Sequence, residues 1–467
     1  MRKKSAGGSK RSATFEAAMG LFDRFKSKEA SKRVVLVGLD GTPCTLLQRF
    51  ITDGTMPAMR ELAGRGTLLQ MDTSIPDISS VAWTSFMTGA NPGRHGIYGF
   101  LDLQPASYKI YFPNSRHIKS ETVWAATGRS GKRAVVINVP STYPAQPLNG
   151  ILISGFVAVD INKATYPATL VPKLTEMDYR IDVDARKVRQ SHDALMEDVL
   201  VTLERRINVL LHLFDKEQWD LFIGVVTETD RLQHFFMDAI FDESHKYHSA
   251  FRDFYRRIDS FLGQIAERLR DETLLIMSDH GFTPIKQQVY LNRWLVDNGY
   301  LKLKENARSI EEIADGSLAF ALDPGRVYIN VKGKYPNGAV TREDAQRLTQ
   351  EIKQGLSEIA DNGTPVVERV YERDELFSGS QVESAPDLCV QSIYGYDLKG
   401  AVNKSQLMDR EIFTGMHTQD DSTLFINAQA TALRSDKPHI TDVAPTLLDA
   451  MGLGVPESMD GRSMLIE

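Results

Sequence analysis

The chain has 467 residues, 42% of them hydrophobic and 25% charged, with a net charge of -6. This balance is that of an ordinary globular protein with a sizeable core, in about two or three domains or one large α/β domain, and it excludes an extended nucleic-acid surface, so no nucleic acid polymer is expected as a partner. Two cysteines, Cys44 and Cys389, exclude a disulfide-built secreted fold and point to a reducing, cytoplasmic compartment.

Residues 1–32 read as a basic, flexible tail. The first 33 residues carry ten Lys/Arg against three Asp/Glu, a charge of +7 that leaves -13 for the rest. Within them Met19–Lys28 (MGLFDRFKSK) suits a short amphipathic helix able to make weak contact with anionic lipid at the inner face of the membrane. No run approaches the roughly 20 apolar residues that span a bilayer, and the N-terminus has no apolar signal-peptide core. Four apolar runs end at acidic or turn residues: RVVLVGLDG (33–41), KRAVVINVPST (132–142), WDLFIGVVTETD (219–230) and ETLLIMSDHGF (272–282). Strands covered on both faces need no polar alternation, so these read as buried parallel strands.

Helical periodicity lies between the strands, as in Asp193–Phe214 and Tyr255–Leu269. The alternation predicts an α/β fold with a mostly parallel central sheet flanked by helices, and in such sheets ligands gather beyond the carboxyl ends of the strands. Asp40, Asp230 and Asp279 all sit at such ends. Phe100–Lys119 is irregular and rich in aromatic and basic residues, as expected of a cleft wall. Residues 283–414 change to short strands, charged helices and Gly/Pro turns, and read as a smaller insert or cap on a core formed by 33–282 and 415–467.

Four segments carry the chemistry. In SIPDISSVAWTSFMTGANPGRHGI (74–97), Val81–Thr88 reads as a short helix stopped by Gly89 and Pro92, with Ser79 or Ser80 near its N-cap. A serine there is ordinarily a cap, yet a helix N-terminus also holds phosphate well. In TETDRLQHFF (227–236) the i,i+4 spacing of Asp230 and His234 puts carboxylate and imidazole on one helix face, within reach of one metal ion. Asp279 and His280 end the fourth strand, and His417 precedes an apolar run after the insert.

In order and type, Asp40, Ser79, Asp230/His234, Asp279/His280 and His417 resemble the metal and nucleophile set of the alkaline phosphatase superfamily. The resemblance is to its type I phosphodiesterase/nucleotide pyrophosphatase branch and to bacterial predicted phosphohydrolase/phosphomutases. It runs from about Arg33 to the end, including DVAPTLL and DGRS in the last 30 or so residues. It implies two divalent ions, zinc first and manganese next. One would be held by Asp40, Asp279 and His280 with the Ser79 hydroxyl, the other by Asp230, His234 and His417. It further implies attack by Ser79 on a phosphate ester, giving a covalent phospho-enzyme.

Ser79 is preferred over Ser80 because it lies nine residues before Thr88, the family's spacing from nucleophile to Thr-Gly. One departure stands out: where nucleotide pyrophosphatases carry an asparagine after His-Gly-Ile, HGIYGF places Phe100, and Asn114 is the candidate replacement for binding a phosphate oxygen. A phosphodiesterase is therefore expected, with a phosphomonoesterase or phosphomutase of the same superfamily as the alternative reaction and a metal-containing binding protein as the non-enzymatic one. Sulfatase is disfavoured because CTLLQ, from Cys44, lacks that group's Cys/Ser-x-Pro-x-Arg setting.

Overall fold

All four apolar runs form strands, and they lie side by side. The computed structural model describes residues 32–427 and 432–466, so the expected lipid-contacting helix at Met19–Lys28 falls outside the described residues. The main sheet has eight strands in the order Thr67–Met71, Ser422–Ile426, Thr273–Met277, Val34–Leu39, Leu221–Val226, Ala134–Val139, Gly150–Ser154 and Thr165–Tyr166. The five strands from Thr273–Met277 to Gly150–Ser154 are mutually parallel; the strands beyond them pair antiparallel.

The lack of polar alternation has the expected cause. Val34 and Leu36 join one buried cluster, with Trp83, Ile223 and Leu447. Val35, Val37 and Leu39 join another on the opposite face, with Phe222, Phe254 and Ile258. Helices supply both layers, among them His192–Lys216 and His248–Arg268, the second starting seven residues earlier than its apolar periodicity suggests. Among the described residues no helix is long and apolar enough to cross a membrane.

Between Phe282 and Thr414, the segment expected as an insert and so called below, the chain builds sheets separate from the main one. Its four-stranded antiparallel sheet has the order Ala319–Leu322, Arg326–Ile329, Leu388–Ser392, Val367–Glu372, with the Arg342–Ser357 helix packed against it. A three-stranded sheet combines Tyr396–Lys399, Gln287–Tyr290 and Met408–Asp409. The insert has its own hydrophobic cluster, which Tyr108 from the irregular 100–119 segment enters. Its two ends meet in an antiparallel ribbon, Gly281–Pro284 against Gly415–Thr418, in which Phe282 pairs with His417.

One buried residue ties the insert to the core. Arg326 is fully buried; it donates to Asp102 Oδ1 at 2.6 Å and to the Leu101 carbonyl at 2.7 Å, and also to the Asp323 carbonyl of its own turn. Gly99 passes so close to the guanidinium that any β-carbon there would overlap it. Arg326→Met is expected to leave Asp102 as an uncompensated buried carboxylate and to cost about 3–5 kcal/mol in chemical denaturation, while Asp102→Asn together with Arg326→Met costs less than the single change.

Candidate metal centre

The parallel register places three carboxylates together. Gly38 pairs with Met277 and Leu39 with Val226, so the chain leaves three adjacent strands at one level. Asp40 follows the first strand directly and Asp279 follows Thr273–Met277 after one residue, while Asp230 sits in the first turn of the Glu228–Phe236 helix that leaves the third. All three are buried.

Their donors and acceptors divide cleanly. Asp40 Oδ2 accepts from Trp83 Nε1 at 3.0 Å, Asp279 Oδ1 from the Gly41 amide at 3.0 Å, and Asp230 Oδ2 from Arg231 Nη1 at 3.0 Å. The other oxygen of each, Asp40 Oδ1, Asp279 Oδ2 and Asp230 Oδ1, is buried with no hydrogen-bond partner. Buried acceptors are rarely left so, because the desolvation cost goes uncompensated.

Those three oxygens face imidazole nitrogens. His280 Nε2 lies 3.3 Å from Asp279 Oδ2 and 3.6 Å from Asp40 Oδ1. His234 Nε2 and His417 Nε2 each lie 3.3 Å from Asp230 Oδ1 and 3.2 Å from each other. The Nδ1 atoms point away: His280 donates to the Gly281 carbonyl at 3.0 Å, His234 to the Gly415 carbonyl at 3.2 Å and His417 to the Asp77 carbonyl at 2.9 Å. A carbonyl can only accept, so each Nδ1 carries the hydrogen and each Nε2 presents its lone pair, the arrangement that orients metal-ligating histidines.

The ligand atoms of Asp40, Asp279 and His280 lie within 4.8 Å of one another, as do those of Asp230, His280 and His417. The two groups share His280, and their donors are of the kind that hold a divalent cation, by chemistry, orphaned oxygens and the orientation of the imidazoles.

Burial and neighbouring charge together set the titration of the cluster. Burial, then the neighbouring Asp279 and Asp230, push Asp40 well above the usual carboxylate range, and burial drives Asp279 up to about 7. Burial would raise Asp230 as well, but His234, His417 and Arg231 outweigh it and hold the group well below its ordinary value. Burial and the neighbouring His417 push His280 down. His417 moves up despite its burial, because the Asp230 carboxylate beside it favours its cationic form.

Ser79 belongs to this centre: its Oγ lies 3.1 Å from His280 Nε2. The sequence suggests a capping serine, but the helix runs Ser79–Thr88, its N-cap is Ile78 without any side-chain cap bond, and Ser79 is the first helical residue. Ser80 is buried, and its hydroxyl has no partner. Asn114 is not among the residues brought together; its Oδ1 accepts from the Arg116 amide at 3.0 Å, and it lines a different cavity of about 760 Å³ with Tyr98, Phe112 and Lys334.

Several supporting residues carry no local sequence signal. Trp83 lies one helical turn beyond Ser79, and only the tertiary fold shows that it reaches Asp40. Arg231 is gripped by Asp182 at 2.7 and 3.1 Å and lies 4.4 Å from the Phe156 ring centre, and Phe156 meets Phe100 edge-on. Phe100 thus fills its position as packing. Beneath the helix, Arg206 and Glu228 form a fully buried ion pair.

The sequence model of the type I phosphodiesterase/nucleotide pyrophosphatase family matches residues 34–420. The chain belongs to this family. As a member it is an enzyme of the phosphoric ester hydrolase class. Solved structures agree in fold. Phosphonoacetate hydrolase from Sinorhizobium meliloti 1021, in complex with phosphonoformate, superposes with a TM-score of 0.60 at 17% identity, covering 90% of this chain and 96% of that one. Its complex with phosphonoacetate gives 0.61. Murine ectonucleotide pyrophosphatase/phosphodiesterase 5, an inactive variant in complex with AMP, gives 0.56 at 14% identity, covering 93% of this chain and all of the other.

Gly41 tests how tightly this phosphodiesterase-family site is built. Its φ is +66°, and a β-carbon there would lie 2.8 Å from the Phe282 ring and 3.0 Å from His280. Gly41→Ala is expected to cost about 1–3 kcal/mol in thermal unfolding, against less than about 0.5 kcal/mol for an alanine at an open, right-handed surface position.

Proposed function

We propose that the protein is a two-metal phosphodiesterase whose nucleophile is Ser79. The observation that carries this is the convergence of three orphaned carboxylate oxygens and three Nε2 lone pairs beside a buried serine hydroxyl. Asp40, Asp279 and His280 would hold one divalent ion next to Ser79, and Asp230, His234 and His417 the other. Zinc suits the mixed Asp/His donors best, with manganese next. When bound, such ions favour the serine alkoxide and neutralise charge on the leaving oxygen.

The chain's own residues do the rest. The helix that begins at Ser79 directs its free amides and positive dipole end towards the phosphoryl group. Ser79 Oγ attacks phosphorus in line, the P–O bond to the alcohol breaks, and the alcohol leaves with a proton. A phosphoseryl enzyme results, and water cleaves it from the opposite side. Trp83 and the Gly41 amide each hold one carboxylate oxygen so that the second oxygen stays free for an ion, which keeps the ligands oriented between turnovers. Buried, unpaired Cys44 and Cys389 support a cytoplasmic site of action.

Elemental analysis of zinc-loaded protein is expected to give two ions per chain. His280→Ala is expected to release one and abolish turnover of an activated diester with the fold retained by circular dichroism. One ion or none in the parent would refute the reading.

The two serines separate in activity and stability. Ser79→Ala should lower turnover by several orders of magnitude at equal metal occupancy, since it removes the attacking oxygen. Ser80→Ala should keep most activity and change stability by less than about 0.5 kcal/mol, because the lost hydroxyl bonds nothing. Steady-state rates of both variants decide it, and an inactive Ser80→Ala with an active Ser79→Ala reverses the assignment.

A further inference from the structure

We propose that the cavity beside His234 and His417 is the leaving-group pocket, and that Asp77 makes it select a small alcohol bearing an ammonium group. The inference rests on the hydrolase reading above, in which His234 and His417 sit on the side from which the alcohol departs.

The cavity, about 110 Å³, lies between core and insert, and both histidines line it. Much of its wall is apolar, from Ile75, Pro76 and Ile78 on the core side and Val390 and Leu398 on the insert. The charges are few. Asp77 comes from the core, and Asp397 and Lys399 come from the insert. Lys399 Nζ lies 2.8 Å from Asp397 Oδ2, so these two cancel. Asp77 forms no ion pair of its own among the described residues. Asp77 is therefore the one acid in the cavity wall without a cationic partner among the described residues.

Asp77 is also fixed in place. Its carbonyl accepts the Nδ1 hydrogen of His417 at 2.9 Å, which ties the residue to a ligand of the second ion. Two positions along the chain is Ser79. A carboxylate held there is suited to receive an N–H donor from the departing alcohol and repels a leaving group with anionic charge, such as a nucleotide. The apolar walls and small volume favour a short chain between ammonium and oxygen. The absence of the family's phosphate-binding asparagine at Phe100 agrees with a substrate other than a nucleotide.

The test uses methyl phosphodiesters whose second ester group is 2-aminoethyl, n-propyl or 2-carboxyethyl. Release of that second alcohol by zinc-loaded enzyme is measured, together with binding of the same esters to zinc-loaded Ser79→Ala protein by calorimetry. The 2-aminoethyl ester is expected to exceed the propyl ester by about tenfold to a hundredfold, and the carboxyethyl ester to be the poorest, the scale of one charge-assisted hydrogen bond. In Asp77→Asn, of unchanged zinc content and melting temperature, the aminoethyl-to-propyl ratio is expected to fall towards one.

Turnover or binding of the propyl ester without ammonium preference overturns the pocket assignment and leaves the hydrolase reading standing. Ammonium-selective binding without turnover of any ester does the reverse. A preference that survives Asp77→Asn unchanged overturns the role of Asp77.

Discussion

Mutual repulsion among three buried carboxylates governs this structure. Asp40, Asp230 and Asp279 come to one level because the strands that carry them, or that lead into their helix, are parallel neighbours. Burial and mutual charge drive Asp40 and Asp279 upward, while the histidines and Arg231 hold Asp230 down. Much of the surrounding architecture keeps these side chains aimed at a common point. Trp83, the Gly41 amide and Arg231 each take one oxygen, and three backbone carbonyls take the Nδ1 hydrogens.

Such a layout is stable enough to build only when the fold around it is well satisfied. The Arg326–Asp102 pair between core and insert shows a buried charge with its partner, in contrast to the three oxygens at the centre, whose distinction from the other unpartnered buried atoms is that they converge on imidazole nitrogens.

Much of this was legible in the sequence, for physical reasons. A strand buried on both faces must be apolar throughout, so the four runs and the acids ending them stand out against amphipathic segments. The Asp230/His234 spacing is fixed by helix geometry, and both residues lie in the Glu228–Phe236 helix. What depended on tertiary approach was not legible. The local pattern at Ser79 shows only a place at the start of an apolar helix; its role as nucleophile rests on the family resemblance, and the approach of its hydroxyl to His280, 201 residues away, is made by the fold. Trp83 reads as core and is core, yet its N–H serves Asp40. Asn114 reads as a candidate for binding a phosphate oxygen, whereas it lines a different cavity and a local turn uses its carbonyl oxygen. The seven-residue difference at the start of the His248–Arg268 helix has a similar origin, since HSAFRDF alternates charge and aromatics too irregularly to reveal its buried face.

The ribbon that pairs Phe282 with His417 has a consequence for how this architecture tolerates change. It clamps both ends of the insert at the carboxylate–histidine cluster, so the intervening residues behave as one closed loop. The entropy of closing such a loop grows only logarithmically with its length. Residues can be gained, lost or exchanged within the insert at little thermodynamic cost to the ligand geometry, so long as the two ribbon strands keep their register. The carboxylate–histidine cluster and the surface that the insert presents beside it are thereby mechanically separable, and the second can drift across descendants of such a scaffold while the first stays in place.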